Sequence, residues 1–258
     1  MSDTSSPSNS DHPTSSCTVS RRGLLRGIGR AGAAALAGMS CAGLALPELA
    51  FAEAMDKAQR DALTPDQVLH RLLQGNARFS GNRLLRHDYL AQKADTRDGQ
   101  YPAAIILSCI DSRVPAEIVL DAGIGELFNA RVAGNLVNQD ILGSMEYACA
   151  VAGSKVIMVM GHTGCGAIKG GISGAQLGHL TGLVDRLKPA AEATRYTGVR
   201  DEKNPAFVDE VARTHVRMTV RQIRQQSSTL AGMERRDEIM LVGAMYHLRG
   251  GRLEVLEA

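Results

Sequence analysis

Two short clusters in this chain carry residue types and spacings that can do chemistry: Cys109-x-Asp111-x-Arg113 and His162-x-x-Cys165-Gly166. Two thiols and an imidazole form a zinc-binding set, and three protein ligands leave a fourth tetrahedral position open. A zinc ion lowers the pKa of water in that position towards ~7, which makes hydroxide available near neutrality. His162 and Cys165 flank Thr163-Gly164, a pair suited to a tight turn that aims both ligands at one ion. Cys109 is distant in sequence, as expected of a ligand delivered by an adjacent parallel strand. Cys109, Asp111 and Arg113 alternate, so in an extended segment all three point to one side. Asp111 then has two readings: it pairs with Arg113 and orients the water by accepting a hydrogen bond, or in a closed state it takes the fourth position itself. A Cys109–Cys165 disulfide would leave His162 and Asp111 without a role. Gly166 is placed to open a helix, whose free N–H groups favour an anion.

Both clusters follow apolar runs, 103–107 and 156–160. The carboxyl ends of strands are where sites assemble in an open parallel sheet. From Pro102 onward, β-rich runs at 103–108, 126–132, 155–160 and 239–245 alternate with helical patterns at 139–152 and 206–226. This alternation predicts an α/β fold: a mainly parallel central sheet flanked by helices. Residues 246–255 add an antiparallel C-terminal edge hairpin with a Gly250-Gly251 turn. Upstream, Thr64-Pro65-Asp66-Gln67 is a helix start, with Thr64 as cap, Pro65 at the first position and Gln67 closing a capping box. Val68, Leu69, Leu72 and Leu73 continue it as an apolar stripe that ends near Gly75-Asn76. Residues 80–100 and 170–204 show no clear period.

The chain has 258 residues, and the first 52 read as an address rather than a fold. A Ser-rich start leads to Ser20-Arg21-Arg22-Gly23-Leu24-Leu25, then a small apolar Ala/Gly-rich stretch, then Ala50-Phe51-Ala52. That order predicts a twin-arginine export signal cleaved after Ala52, and a single periplasmic domain over 53–258. The apolar stretch is too interrupted for a stable membrane anchor. Without residues 1–52, which hold four of the 29 Lys/Arg and three of the 27 Asp/Glu, the remainder carries 25 against 24. A nearly neutral chain implies no nucleic-acid partner. Cys109, Cys149 and Cys165 remain, an odd number that excludes a pure disulfide framework.

The sequence resembles the β-class carbonic anhydrases over about 64–256. The resemblance rests on SCIDSRVPAE at 108–117, GELFNARVAGN at 125–135, MEYA at 145–148 and VIMVMGHTGCGAIKGG at 156–171. It implies reversible hydration of CO2 to bicarbonate and a proton. Zn2+ is then held by Cys109, His162 and Cys165, with Asp111 and Arg113 as the catalytic dyad. Gln100 and the Gly166 N–H match substrate hydrogen-bond donors, and Phe128 and Tyr147 match aromatic positions of the substrate pocket. The family assembles as a homodimer or homotetramer, with an N-terminal helix embracing the partner, a role that suits 64–79. The chain departs from the family at Val132, often Asn. Some relatives have a separate bicarbonate site built from Trp, Arg and Tyr; Arg131 and Tyr246 match two of its members, while Ile106 replaces the Trp. Two other readings share the scaffold: a carbonyl sulfide or carbon disulfide hydrolase, and a non-catalytic zinc- or bicarbonate-binding protein. His70, His87, His179, His215 and His247 lack ligand-like spacing and read as surface or satisfied core, and Cys149 reads as core.

Overall fold

The computed structural model describes residues 52–257, which lie within one compact unit. The twin-arginine segment lies outside the described residues. Chain order is α1 (Lys57–Ala62), α2 (Pro65–Ser80), α3 (Tyr89–Asp95), β1 (Ala104–Ser108), α4 (Ala116–Val119), β2 (Leu127–Arg131) and α5 (Gln139–Glu146). Then come β3 (Val156–His162), α6 (Gly166–Ser173), α7 (Gly178–Asp185), α8 (Lys188–Ala193), α9 (Pro205–Gln226), α10 (Ser228–Arg235), β4 (Met240–Tyr246) and β5 (Leu253–Leu256).

The sheet runs β2-β1-β3-β4-β5. The first three pairings are parallel, and β4–β5 is antiparallel. β1 and β3 are buried along their whole length, which is why their sequences read as continuous apolar runs. Alternate residues feed two cores. Ile105, Leu107, Ile157 and Val159 meet Phe207, Val211 and Val216 of α9, while Ile106, Met158 and Met160 meet Val68 and Leu72 of α2. The hairpin forms as expected, with Tyr246 opposite Leu253, but six residues, 247–252, join its strands rather than a two-residue turn.

Several elements depart from the sequence reading. α2 has its capping box, Thr64 Oγ1 accepting from Gln67 N at 3.2 Å and Gln67 Oε1 accepting from Thr64 N at 2.9 Å. It does not stop at Gly75-Asn76 but runs on to Ser80. These two residues serve tertiary packing. A Cβ on Gly75 would stand 1.8 Å from the Leu120 carbonyl oxygen. The buried Asn76 amide donates to Val119 O at 3.0 Å and Gly251 O at 2.9 Å, and its Oδ1 accepts from Leu253 N at 2.7 Å. α2 therefore has a place on its own sheet, through Val68, Leu72 and Asn76. The expected helix over 139–152 is α5 followed by a wider π turn, Tyr147–Val151. The segments without a clear period contain α3, capped by Asp88, the end of α6, and the short helices α7 and α8.

Candidate metal centre

β1 and β3 lie side by side with Ser108 opposite Met160, so Cys109 and His162 emerge together at the carboxyl end of the sheet. Cys165 ends the turn after β3 and stands as N-cap of α6. One ligand atom from each of Cys109, His162 and Cys165 lies within 4.8 Å of the others, and the residues are 4 %, 0 % and 1 % exposed.

The hydrogen bonds show what this cluster is built for. His162 Nδ1 lies 3.0 Å from the Thr163 carbonyl oxygen. A carbonyl only accepts, so Nδ1 carries the proton and Nε2 presents its lone pair. That Nε2 is buried and has no hydrogen-bond partner. Of the two thiols, Cys109 is the one whose pKa is drawn down. The largest cause is a hydrogen bond from Cys165, and burial opposes it; the Gly134 N–H, 3.3 Å from Sγ, adds to the lowering. Cys165 is correspondingly pushed up, because its proton is committed to Cys109 and its site is dry. Two sulfurs sharing one proton beside an unpartnered imidazole lone pair suit a thiophilic, tetrahedral cation, and zinc fits that donor set.

The stretch after Cys109 is bent, not extended. Val114 N donates to Asp111 O at 3.0 Å, and Arg113 N donates to Asp111 Oδ1 at 2.9 Å. This turn folds the Arg113 guanidinium back as a fork: Nε reaches Oδ1 at 2.9 Å and Nη2 reaches Oδ2 at 2.7 Å. The Arg113 hydrogen bond holds the Asp111 carboxyl well below the usual carboxylate range. Asp111 Oδ2 lies 3.9 Å from His162 Nε2, so the anion faces the ligand cluster. Gly166 opens α6 as expected, and a Cβ there would meet nothing within 4 Å.

Gln100, Phe128 and Tyr147 are not brought to this cluster within the chain. Phe128 pairs in register with Ile105, four residues before Cys109 and so about 13 Å back along the strand. Its ring meets Tyr147 edge-on at 6.1 Å, and the two line a cleft of ≈ 800 Å³ between the outer strand β2 and α5. Tyr147 is 53 % exposed, and Gln100 is exposed on the loop that leads into β1.

The model of the family described as "Carbonic anhydrase" matches residues 104–253. The chain belongs to the carbonic anhydrase family. It is 35% identical over 190 residues to a carbonic anhydrase of Mycolicibacterium smegmatis, covering 71% of this chain and 89% of that protein. A Pseudomonas aeruginosa carbonic anhydrase is 30% identical over 193 residues, covering 72% and 86%. Solved β-carbonic anhydrases share the fold. A tetrameric Sordaria macrospora enzyme superposes with a TM-score of 0.59 at 22% identity, over 74% of this chain and 97% of that one. A Coccomyxa enzyme in complex with acetazolamide gives 0.58 at 22% identity, over 73% and 86%. This is the β-class architecture.

Sequence reasoning missed the residues that brace this carbonic anhydrase centre from outside. Arg131 donates from Nε to Cys109 O at 2.9 Å and from Nη2 to Asp111 O at 2.6 Å, so it fixes the bend that carries both. His215 is the satisfied core histidine expected, and it also steadies the turn behind Cys109: its Nε2–H donates to Gly134 O at 2.8 Å. Asp209 Oδ1 accepts from Gly164 N at 2.8 Å, inside the turn between two ligands. Arg131 stood out in the sequence only as a match to a separate bicarbonate site, and His215 left a mark as a polar residue within the apolar stripe of α9.

Proposed function

We infer that the protein is a zinc carbonic anhydrase that converts CO2 and water reversibly to bicarbonate and a proton. The observation that carries this reading is the buried His162 Nε2 without a partner, 3.9 Å from Asp111 Oδ2, in a cluster where one ligand atom each from Cys109, His162 and Cys165 lies within 4.8 Å of the others. Zinc held by Cys109, His162 and Cys165 would supply a Lewis acid that brings the pKa of water to ~7. The chain's own groups do the rest. Asp111, kept anionic by the Arg113 fork, can only accept, so it orients the attacking water by taking a hydrogen bond from it. A closed state with Asp111 as fourth ligand would have to compete with this fork. The start of α6 at Gly166 presents N–H groups and the positive end of a dipole to the anionic product. Stripping the metal with a chelator should reduce CO2 hydration to the uncatalysed rate, and one equivalent of zinc should restore it; activity that survives the chelator contradicts the reading.

The cleft residues fit the same function in an assembly. Phe128, Tyr147 and Gln100 sit too far from their own cluster to line its pocket, and a second copy offers a centre they can reach. A homodimer or homotetramer is therefore part of the proposal, in line with the tetrameric Sordaria relative. Export by the twin-arginine pathway to the periplasm is proposed from the sequence of residues 20–52 alone. Among the described residues no helix is long and apolar enough to cross a membrane. Replacing Arg21 and Arg22 with Lys should leave the protein in the cytoplasm; normal export of that variant would refute the assignment.

A further inference from the structure

The peptide unit between Thr163 and Gly164 is engaged at both ends. Its carbonyl oxygen accepts from His162 Nδ1–H at 3.0 Å, and its N–H donates to Asp209 Oδ1 at 2.8 Å. The unit is also held against rotation. Thr163 N donates to Tyr246 O at 3.0 Å, Thr163 Oγ1 accepts from Leu248 N at 3.0 Å, and Gly164 sits at φ 64, a left-handed conformation that a side chain would strain. The result is a continuous chain: Asp209 carboxylate, peptide, imidazole, and the Nε2 lone pair that faces the two sulfurs.

Hydrogen bonds in series polarise one another. A negative charge at the N–H end of an amide draws its proton and pushes electron density onto the carbonyl oxygen. The oxygen then binds the imidazole proton more strongly, which makes Nε2 a better donor. Histidine ligands of metals commonly receive this support from a carboxylate or a carbonyl in direct contact. Here the carbonyl makes the contact, and a carboxylate 47 residues further along the sequence stands behind it.

We propose that Asp209 is a positioning residue of the metal centre, acting on His162 through the Thr163–Gly164 peptide by virtue of its charge as well as its place. This rests on the reading of Cys109, His162 and Cys165 as metal ligands. The cations near Asp209 do not supersede the link. Arg213, one turn along α9, is forked onto Glu254 at 2.7 and 2.8 Å, and Glu210 lies on its other side at 3.9 Å.

The test uses the full chain loaded with zinc, with two variants. Asp209→Asn keeps an oxygen to accept from Gly164 N–H but removes the charge, and Asp209→Ala removes both. Zinc affinity is read by competition with a chromophoric chelator, and the His162 Nδ1–H proton by NMR of protein labelled with 15N-histidine. The expected loss of zinc affinity is ~10-fold for Asp209→Asn and up to ~100-fold for Asp209→Ala, the range for outer partners of metal ligands. The Nδ1–H resonance of Asp209→Asn should move upfield as its hydrogen bond weakens. If Asp209→Asn matches the wild type in both readouts, the charge relay is overturned, whatever Asp209→Ala does. A wild type that binds zinc tightly but does not hydrate CO2 would sink the enzymatic reading and leave this one standing. A wild type that does not bind zinc would sink both.

Discussion

A buried polar atom without a partner costs a folded protein about 1–3 kcal/mol, so its survival at His162 Nε2 calls for a ligand to face it. The same logic ranks the neighbours. On the proposed function, removing Cys109 or Cys165 would remove a ligand, whereas Asp111→Asn would leave all three in place and take away only an anionic acceptor. Asp111→Asn should therefore still bind one zinc per chain while CO2 hydration falls ~10²–10⁴-fold, the usual size of a lost acid–base partner. Metal analysis beside steady-state rates checks this, and an unchanged rate would remove Asp111 from the mechanism. At this scale the sequence was most legible, because the Cys109–His162–Cys165 cluster and the Asp111–Arg113 pair come from short, local spacings of rare residue types. The bracing roles of Arg131 and Asp209 were not legible. They act on backbone atoms from elements distant in sequence, and a hydrogen bond to a carbonyl or an amide leaves no pattern in residue types.

At the scale of elements, alternation of strand-like and helical runs was enough to place β1 to β4; β1, β3 and most of β4 are buried and almost entirely apolar, whereas β2 at the edge is only partly buried. The end of α2 was misjudged at Gly75-Asn76, since local rules read such a pair as a stop while packing against Leu120 and Leu253 uses them inside a helix. Two expectations follow. Gly75→Ala should destabilise the protein by about 1–3 kcal/mol through overpacking, although alanine is the better helix former. Asn76→Ala should cost a similar ~1–3 kcal/mol by leaving the Leu253 N–H unmatched. Urea titrations measure both, and a stabilised Gly75→Ala would show that α2 can shift away from Leu120. The link from α9 to the turn behind Cys109 has a pH signature. Burial draws the His215 pKa from 6.5 down to about 4. Between those values the unfolded chain takes up a proton that the native imidazole refuses, so stability falls as pH drops through that window and levels off below it. His215→Gln, which keeps an N–H for Gly134 O, should lose less stability than the wild type between pH 6.5 and 4 in denaturant titrations.

At the scale of the whole molecule, the near-neutral charge balance of residues 53–258 suits an uncharged gas and a small anion better than a polyanion. The cleft along β2 and α5 is lined by a half-buried Phe128 and an exposed Tyr147. Such a site gains its purpose when a second copy covers it, so sedimentation should give a mass of two or four chains, and a monomer that is fully active would contradict the shared-pocket proposal. Sequence motifs pointed to these aromatic residues but could not show that they stand away from their own chain's cluster; the register of β2 against β1 reveals it for Phe128, and Tyr147 packs against that ring. The most direct test of the central claim is stopped-flow hydration of CO2 by the zinc-loaded protein between about pH 6.5 and 9, which spans the ~7 expected for zinc-activated water. Rapid turnover that depends on zinc is the predicted result. Zinc bound at Cys109, His162 and Cys165 with no turnover at any pH would contradict the account.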